Sequence, residues 1–276
     1  MNQPSHLEWI GRTLNEETLA DAWPAAGFAA VLDSPDRPAV NEPLPQLSHW
    51  CYFAPMVPQS ELGADGHPQR GGFLPPIALP RRMWAASDLT FQQPIRVGQA
   101  LHRRAEIVEV SEKQGASGPL IFVKVANHYS DAVGNALLRE VQTLVYRDHP
   151  APGEAPPPKP APQGAEWSRT HRPDTAMLFR FSAVTFNAHR IHYDHPYATG
   201  VEGYPDVIVQ GQLLATFMRR AMPVDRVATF SFRALRPVFA DETVLAEGRA
   251  ADGGGYELWI RDAAGEIRMQ GRATVP

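Results

Sequence analysis

The sequence predicts an α+β protein made of two similar halves, each with a helix packed against an antiparallel sheet. The first observation is an internal repeat, because the segment from Asp88 to Leu101 matches the segment from Ser231 to Val244. Pro94 aligns on Pro237, 143 residues later. The second is that alternating apolar and polar residues follow the repeat in both halves, as in strands with one buried face. The third is a proline-rich stretch between the halves. A length of 276 residues is enough for two domains.

Both halves continue after the repeat as a series of predicted strands. The first half reads HRRAEIVEVSEK and then GPLIFVKVANHYSDAVGNALLREVQTLVYR, and the second half reads LAEGRAADGGGYELWIRDAAGEIRMQGRATV. Short turn sequences separate these runs, namely Ser117-Gly118, Gly134-Asn135, Asp252-Gly253 and Ala264-Gly265. We therefore expect antiparallel strands joined by tight turns in both halves.

A candidate helix precedes the repeat in each half, and the two differ in quality. In the second half, GQLLATFMRRAM carries an apolar stripe broad enough for a buried helix, formed by Leu213, Leu214, Phe217, Met218 and Met222. In the first half, the stretch GFLPPIALPRRMWAA contains Pro75, Pro76 and Pro80. Interior prolines remove backbone hydrogen bonds and clash with the preceding turn. We therefore expect an intact helix in the second half, a damaged copy in the first, and function on one side.

The two halves meet at a proline-rich stretch. Seven of the thirteen residues from Pro150 to Pro162 are proline, a composition typical of an extended, semi-rigid spacer. We therefore divide the chain into an N-terminal unit (residues 1–149), a linker (residues 150–175) and a C-terminal unit (residues 176–276).

The composition excludes several classes of function. The formal net charge is −4 and the pI is near 6.2, so nothing indicates binding to nucleic acid or to an anionic membrane. No apolar run approaches the ~18 residues that a membrane-spanning helix requires, and the N-terminus has neither a secretory nor a transit pattern. Cys51 is the single cysteine, which excludes an internal disulfide and a cysteine-based metal cluster. We therefore expect a cytoplasmic protein.

The stretch FNAHRIHYDHPYA (residues 186–198) concentrates titratable side chains, including three histidines. A metal site made of His189, His192 and Asp194 would lack the i, i+4 spacing of helical ligands and a further ligand cluster, so we predict no metal. His189 is expected to hold the loop and His195 to face solvent. Asp194 is expected to cap the turn that follows it. His192 is the remaining candidate for proton transfer.

The segment FSAVTFNAHRIHYDHPYATGVEGYPDVIVQGQLLATF resembles the active-site segment of the MaoC-like double hotdog enzymes. These are (R)-specific enoyl-thioester hydratases and 3-hydroxyacyl-thioester dehydratases. In that family an acidic residue is followed five positions later by a histidine, and a glycine opens the long central helix. Here Asn187 and His192 have the five-residue spacing, and Gly211 opens the helix. The resemblance covers about residues 47–274.

Within the family, the pieces GGFLPPIALPRRMW and FNAHRIHYD are most similar to one branch. That branch contains mitochondrial-type acyl-carrier-protein dehydratases and bacterial hydratases of branched C5 dicarboxyl-CoAs, such as mesaconyl-CoA and itaconyl-CoA. The resemblance implies a double hotdog fold, with a long helix wrapped by a sheet in each unit and a substrate tunnel between the units. The N-terminal unit would shape this tunnel, its damaged helix leaving room for a bulky acyl group, and the C-terminal unit would be catalytic.

The resemblance also implies an activity. The protein would be a hydro-lyase that adds water to an α,β-unsaturated acyl-CoA, or removes it from the 3-hydroxyacyl-CoA, without a metal or redox cofactor. A branched C5 dicarboxyl-CoA such as itaconyl-CoA or mesaconyl-CoA is the expected substrate. A 3-hydroxyacyl-acyl-carrier-protein dehydratase of fatty acid synthesis is one alternative. A hotdog thioesterase is another, although such enzymes usually need a carboxylate where this chain has Asn187. A binder without catalysis would have no need of His192.

The chain departs from the wider family at one position. Asn187 stands where the family has aspartate, and His189 stands where the family has asparagine; the branch named above also carries asparagine at the first position. An amide cannot accept a proton at neutral pH, so proton transfer falls on His192, whose ordinary pKa of about 6.5 suits it to take and give a proton. Asn187 is expected to orient the water through its carbonyl oxygen.

The remaining assignments concern the substrate. The backbone N–H of Gly211 is expected to stabilise the thioester oxygen, because helix N-termini present unpaired N–H groups and glycine lets a ligand come close. Arg190, Tyr204 and Gln210 are assigned to substrate binding, although Arg190 is equally suited to bracing the loop. The expected partner is an acyl-CoA thioester, and a homodimer is compatible with the sequence.

Overall fold

Ten strands form one antiparallel sheet in the part of the chain that the structure describes. The structure is a computed structural model that describes residues 6–35, 37–115, 118–149 and 157–276. The strands are β1 (Thr13–Leu19), β2 (Arg81–Phe91), β3 (Ala100–Gly115), β4 (Gly118–Asp131), β5 (Ala136–Arg147), β6 (Trp167–His171), β7 (Thr229–Ala234), β8 (Val244–Ala250), β9 (Tyr256–Asp262) and β10 (Ile267–Thr274). Their order across the sheet is β1-β3-β4-β5-β2-β7-β10-β9-β8-β6.

The helices are short and lie between the strands. The α-helices are α1 (Ala22–Val31), α2 (Thr175–Thr185), α3 (His195–Gly200) and α4 (Gly211–Ala221), and the 3-10 helices are His6–Trp9, Ser48–Cys51, Gln59–Glu61 and Arg190–His192. The side chains of Asp21 and Asp174 cap α1 and α2 by accepting hydrogen bonds from the backbone N–H groups of their first turns. In the described ranges we find no helix whose length and apolarity would let it cross a bilayer.

The sheet confirms the internal duplication. The two halves meet where β2 pairs with β7, and in this ladder Asp88 lies directly opposite Ser231. These two residues occupy the same position of the sequence repeat, so a pseudo-twofold axis passes between them. The strand order on either side of this pair is mirrored accordingly. Gly98 and its repeat partner Asp241 even share a left-handed backbone, with φ of 86° and 61°. The predicted α+β double hotdog is therefore confirmed.

The predicted helix of the first half is wrong. Residues 72–80 contain no helix, and the following residues form β2. Backbone bonds identify the true counterpart of α4. Ile208, just before α4, forms a β-bridge with Phe239, and Pro43 forms the same bridge with Arg96. Because Arg96 and Phe239 are equivalent in the repeat, the residues after Pro43 correspond to those that lead into α4.

The counterpart of the eleven-residue helix α4 is the 3-10 helix Ser48–Cys51. Leu47 has a left-handed backbone with φ of 77°, which cannot be part of a right-handed helix. Pro55 would remove a hydrogen bond in the last turn of a longer helix. The chain then makes a long excursion, residues 52–80, before it enters β2. This excursion, rather than a damaged helix, distinguishes the first half from the second.

The predicted linker is also too long. Residues 150–156 lie outside the described residues, but β6 (Trp167–His171) falls within the predicted range 150–175 and pairs with β8 at the edge of the sheet. Pro160 already forms a bridge with Glu266 of the second half. An edge strand with mostly exposed side chains has no alternating apolar pattern. This is why the segment that forms β6 was predicted to be part of the linker.

The helices cover one face of the sheet. The apolar stripe of α4 is buried as predicted, and it packs with Leu178 and Phe181 of α2 in a cluster that extends across both halves. A smaller cluster around Tyr146 lies beneath the part of the excursion near Ile77. Val125 of the smaller cluster and Tyr129 of the larger one are four residues apart on β4, so both clusters lie on the same face. The excursion therefore covers the part of this face that the helices leave open.

Candidate active site

The predicted catalytic loop begins where α2 ends. Phe186 ends α2 in a left-handed conformation with φ of 50°, and the N–H of Asn187 donates to the carbonyl of Ser182. The side-chain oxygen of Asn187 accepts a hydrogen bond of 3.1 Å from the N–H of His189. Asn187 thus shapes the loop with the oxygen that was predicted to orient water, and a role toward water stays a prediction for it.

His192 is buried and held in one orientation. Its Nδ1 lies 2.7 Å from the carbonyl oxygen of Ile208, and because a carbonyl can only accept, Nδ1 carries the proton. The lone pair is therefore on Nε2. The N–H of Ile208 in turn donates to the carbonyl of Ile191 at 2.8 Å, so two bonds join the loop to the segment before α4. Burial lowers the pKa of His192 to about 4, and the side chain is neutral at pH 7.

Gly211 lies three residues beyond the carbonyl that holds His192. It is the first residue of α4, and the first backbone bond of the helix runs from the N–H of Leu214 to the carbonyl of Gln210. The N–H groups of residues 211–213 thus precede the first turn, where a helix has donors available for a ligand. A Cβ added to Gly211 would lie 3.9 Å from the carbonyl oxygen of Trp84. The first half therefore forms one wall beside this helix terminus.

The excursion of the first half contributes residues that the sequence analysis missed. The backbone N–H of Arg190 donates to the carbonyl of Asp65 at 2.9 Å, and Arg190 Nη1 donates to the carbonyl of Ala64 at 3.0 Å. Gly66 has φ of +87°, and a Cβ there would lie 1.9 Å from the carbonyl oxygen of Ala188. Glycine is required here because the two loops touch backbone to backbone. The first half therefore contributes backbone contacts to the predicted catalytic loop.

This contact places Asp65 and His67 beside the predicted catalytic loop. The carboxylate of Asp65 accepts from the N–H of His67 at 3.0 Å, and its other oxygen lies 3.3 Å from Nδ1 of the same histidine. The ring of His67 lies 4.0 Å from the ring of His189, which lies 5.4 Å from that of His192, centroid to centroid. A carboxylate and three imidazoles thus form a continuous cluster drawn from both halves.

The protonation states within the cluster follow from burial and from neighbouring charge. Burial lowers the pKa of His67, and burial together with the charges of its neighbours lowers that of His189 well below 6.5. Burial acts to raise the pKa of Asp65, but the hydrogen bonds and charge of His67 outweigh it, and the pKa falls to about 2. At neutral pH the cluster therefore holds neutral imidazoles next to an ionised carboxylate.

The same residues are the arrangement nearest to a metal site in the described ranges. Ligand atoms of Asp65, His67 and His189 lie within 4.8 Å of one another, unlike the set of His189, His192 and Asp194 that the sequence suggested for comparison. Both carboxylate oxygens of Asp65 already accept from His67. This favours a hydrogen-bonded pair, and a site without metal stays our prediction.

Arg190 braces the loop through its contacts, and a role toward substrate stays a prediction for it. Its Nε and Nη2 donate to the carboxylate of Asp194 at 2.9 Å and 2.7 Å, and its guanidinium stacks over the ring of Tyr197 at 4.1 Å. With Nη1 on a carbonyl of the excursion, each nitrogen has an acceptor. Asp194 caps α3 by accepting from the N–H of Tyr197, as predicted. His195 is largely exposed, as predicted.

Tyr204 and Gln210 also have structural contacts, and their role toward substrate stays a prediction. The ring of Tyr204 receives the guanidinium of Arg81 at 4.3 Å and packs near Phe239. Gln210 is fully buried, and its amide nitrogen donates to the carbonyl of Leu178 and the hydroxyl of Ser182. Gln210 therefore joins α2 to the start of α4. Both residues hold the elements that carry the site.

The buried histidines predict a loss of stability on acidification. In the unfolded chain the pKa of His192 returns to about 6.5, so below that pH the unfolded state binds more protons than the native state. The free energy of unfolding then falls as the pH drops from 6.5 towards 4, and His192 alone accounts for roughly 2 kcal/mol of the loss by pH 5. Urea unfolding at pH 7 and pH 5 measures this difference, which we expect to shrink in His192→Gln but not in the exposed-site control His195→Gln. An unchanged difference in His192→Gln would contradict the lowered pKa.

The chain is similar to known proteins over most of its length. The sequence model of the family described as hydroxyacyl-thioester dehydratase type 2 matches residues 47–240. The chain is 44% identical over 245 residues to the mesaconyl-C(4)-CoA hydratase of Chloroflexus aurantiacus, a match that covers 87% of both proteins. It is 28% identical over 228 residues to the mitochondrial hydroxyacyl-thioester dehydratase type 2 of Schizosaccharomyces pombe, covering 70% of this chain and 74% of that protein.

A solved structure shares the architecture. A protein from Mycobacterium tuberculosis with a double hotdog fold superimposes with a TM-score of 0.59 at 15% identity, covering 96% of this chain and 95% of the other. At this identity the likeness concerns the fold alone. The family match, in contrast, spans most of the chain and includes both the excursion with Asp65 and His67 and the loop with His192. The chain therefore belongs to the hydroxyacyl-thioester dehydratase type 2 family.

Proposed function

We propose that the protein is a hydro-lyase that adds water to the double bond of an α,β-unsaturated acyl-CoA to give the 3-hydroxyacyl-CoA, and that it catalyses the reverse dehydration. The observation that carries this proposal is the position of His192. Its Nε2 is free to accept a proton, and the carbonyl that holds its Nδ1 lies three residues before the N-terminus of α4. A base beside a set of unpaired N–H groups is what addition of water to an enoyl thioester requires.

His192 supplies the proton chemistry in this proposal. As the water oxygen bonds to Cβ of the substrate, Nε2 takes a proton from the water, and the π electrons of the double bond move through Cα into the thioester carbonyl. The resulting imidazolium returns the proton to Cα, and the enolate collapses to the thioester. Water has then added across the double bond and His192 is neutral again. General acid–base catalysis of this kind contributes about 10²- to 10⁴-fold in rate.

The N-terminus of α4 supplies the stabilisation of charge. The thioester oxygen becomes an enolate oxygen in the transition state, and the N–H of Gly211 is the donor that we assign to it. Such a donor is worth about 3 kcal/mol of barrier in other enzymes. The glycine keeps the approach open, since the nearest atom of the first half to its Cβ position, the carbonyl oxygen of Trp84, is 3.9 Å away.

Asp65 brings a negative charge to the cluster. The wider family has this charge at the position of Asn187. The low pKa of Asp65 keeps its carboxylate ionised throughout the physiological range. Because this charge lies against His67, and the imidazole chain continues through His189, it favours the transient positive charge on His192. The step remains a transfer between water, His192 and Cα, and Asp65 acts on it electrostatically.

The similarity to a named hydratase supports the acyl group and its carrier. The relative at 44% identity is named a mesaconyl-C(4)-CoA hydratase, which supports a branched C5 dicarboxyl-CoA as substrate. The carrier is then coenzyme A, and the acyl-carrier-protein dehydratase is the alternative to be tested. Asn187 in place of a carboxylate argues against the thioesterase, because both oxygens of the nearby Asp65 carboxylate are already engaged by His67. Cytoplasmic localisation, a homodimer and one active site in each chain remain predictions from the sequence.

The decisive experiment incubates the pure protein with crotonyl-CoA, mesaconyl-CoA and itaconyl-CoA, and separately with crotonyl-acyl carrier protein. We expect the enoyl-thioester absorbance of the CoA esters to decrease without release of free thiol, most rapidly for a dicarboxyl substrate. Release of free thiol at the rate of absorbance loss would identify a thioesterase. A clear preference for the acyl-carrier-protein substrate would assign the chain to fatty acid synthesis.

A further inference from the structure

Arg82 lies on the face of the sheet that carries the candidate site. It is paired with Tyr146 across the ladder between β2 and β5, and residues directly opposite in an antiparallel pair point to the same side. Tyr146 is fully buried beneath the excursion. Trp84, two residues along β2, lies on this side too, and its carbonyl oxygen is the atom 3.9 Å from the Cβ position of Gly211. The side chain of Arg82 therefore projects from β2 beside the N-terminus of α4.

The charge of Arg82 acts on three members of the cluster, namely Asp65, His67 and His189. Burial is the main cause that lowers the pKa of His67 and of His189, and the positive charge of Arg82 lowers both further. The same charge helps to lower the pKa of Asp65. Arg82 is only half-buried, so its guanidinium borders the cluster and the solvent-accessible space next to it.

Arg82 has no carboxylate partner within ion-pair distance among the described residues. The guanidinium groups of neighbouring Arg81 and Arg70, in contrast, are engaged by acceptors. Arg81 pairs with Glu202 at 2.9 Å. Arg70 donates to the carbonyl oxygens of Leu79 and Pro80, each at 2.6 Å. Burial raises the pKa of neighbouring Tyr146, and the charge and hydrogen bond of Arg82 act against this rise, so the buried hydroxyl lies against the guanidinium. A guanidinium and a hydroxyl are thus available together at one end of the site.

We propose that Arg82 binds the free carboxylate of the acyl group and selects enoyl-CoA substrates that carry one. The inference rests on the proposed hydration of an enoyl-CoA and adds a residue that determines its substrate class. The planar guanidinium matches a carboxylate with two parallel hydrogen bonds, and the hydroxyl of Tyr146 adds a third donor. In this arrangement the thioester oxygen lies at the N-terminus of α4, beside Trp84. The acyl carboxylate lies at Arg82, two residues away on β2 and on the same face.

The test measures kcat/KM of wild type and Arg82→Met with mesaconyl-CoA and with crotonyl-CoA, which lacks the carboxylate. A hydrogen bond to a charged group has a net worth that corresponds to about 10- to 100-fold in affinity. We expect Arg82→Met to lose about that factor with mesaconyl-CoA, mainly through KM, and to lose clearly less with crotonyl-CoA, so that the ratio of the two kcat/KM values falls. Arg82→Lys, which keeps the charge without the planar fork, should retain an intermediate preference.

The control is Arg139→Met, because Arg139 is exposed on the opposite face of neighbouring strand β5. This variant should have the wild-type kcat/KM with both mesaconyl-CoA and crotonyl-CoA. Equal losses with both substrates in Arg82→Met and Arg82→Lys would overturn the proposal and give Arg82 a structural role. A wild-type protein that hydrates crotonyl-CoA but shows no preference for mesaconyl-CoA would also overturn it. Failure of wild type with every enoyl-CoA would instead reject the proposed function. If Arg82→Met does not fold, the substrate ratio of Arg82→Lys decides alone.

Discussion

Replacement of His192 by alanine is expected to lower kcat for hydration by at least about 10²-fold. His192 is the loop histidine whose Nδ1 is fixed by a carbonyl and whose Nε2 is therefore an acceptor of defined direction. Asn187 cannot replace it, because an amide takes no proton at neutral pH, and Asp65 holds its proton only below about pH 2. The loss should appear in kcat rather than in KM, since His192 acts on the reacting atoms and not on coenzyme A.

His195→Ala is the matched control, because His195 is in the same segment but its side chain is 61% exposed. It should keep the wild-type rate. Circular dichroism and binding of a saturated acyl-CoA establish that the His192 variant is folded and still recognises the thioester. Turnover near the wild-type value in His192→Ala would reject the assignment, and His67 and His189 would be the next histidines to replace.

Replacement of Gly211 by valine is expected to lower kcat/KM by about 10²- to 10³-fold, the range seen when one oxyanion donor is lost. The backbone N–H would remain, but the branched side chain would occupy the space through which the thioester oxygen reaches it. The structure tolerates the Cβ itself, since its nearest neighbour would be at an ordinary contact distance of 3.9 Å. The expected defect is therefore in catalysis, with little change in the midpoint of thermal unfolding.

Gly72→Val provides a control of the same kind. A Cβ at Gly72 would also meet a single backbone oxygen at 3.9 Å, that of Gln69, but Gly72 does not open a helix. It should therefore retain most of the activity. If both variants lost activity equally, or if Gly211→Val remained active, the N-terminus of α4 would not be the site of the thioester oxygen.

The sequence by itself determined the features that depend on neighbouring residues. The apolar stripe of α4, the predicted turns and the repeat at Pro94 and Pro237 each lie within a short window. The structure confirms the stripe, the repeat and the turns at residues 134–135, 252–253 and 264–265, whereas Ser117 of the fourth turn lies outside the described residues. The spacing from Asn187 to His192 is equally local, and it was sufficient to locate the loop, although the chemical roles of its residues stay predictions. The cap formed by Asp194 was predicted for the same reason, since a cap acts within one turn.

Only the tertiary structure decided which distant residues meet in the site. Nothing periodic links Asp65 and His67 to His189, because their contact depends on a backbone approach at Gly66 that bridges the two halves. The stretch GADGHP (residues 63–68) has no apolar periodicity, and its one local signal is a glycine between an acid and a histidine. The acceptor of Arg190 in the excursion was not predicted for the same reason, since it belongs to the other half.

Contacts between distant segments also account for the errors in the predicted fold. Prolines in residues 72–80 suggested a damaged helix, yet the place of that helix is defined by the bridge between Pro43 and Arg96, a contact between separate segments. β6 was read as linker because a polar edge strand is recognised by its pairing with β8 and not by its composition. Local periodicity thus determines the elements of this protein, whereas long-range backbone contacts decide how its two halves meet at the candidate site.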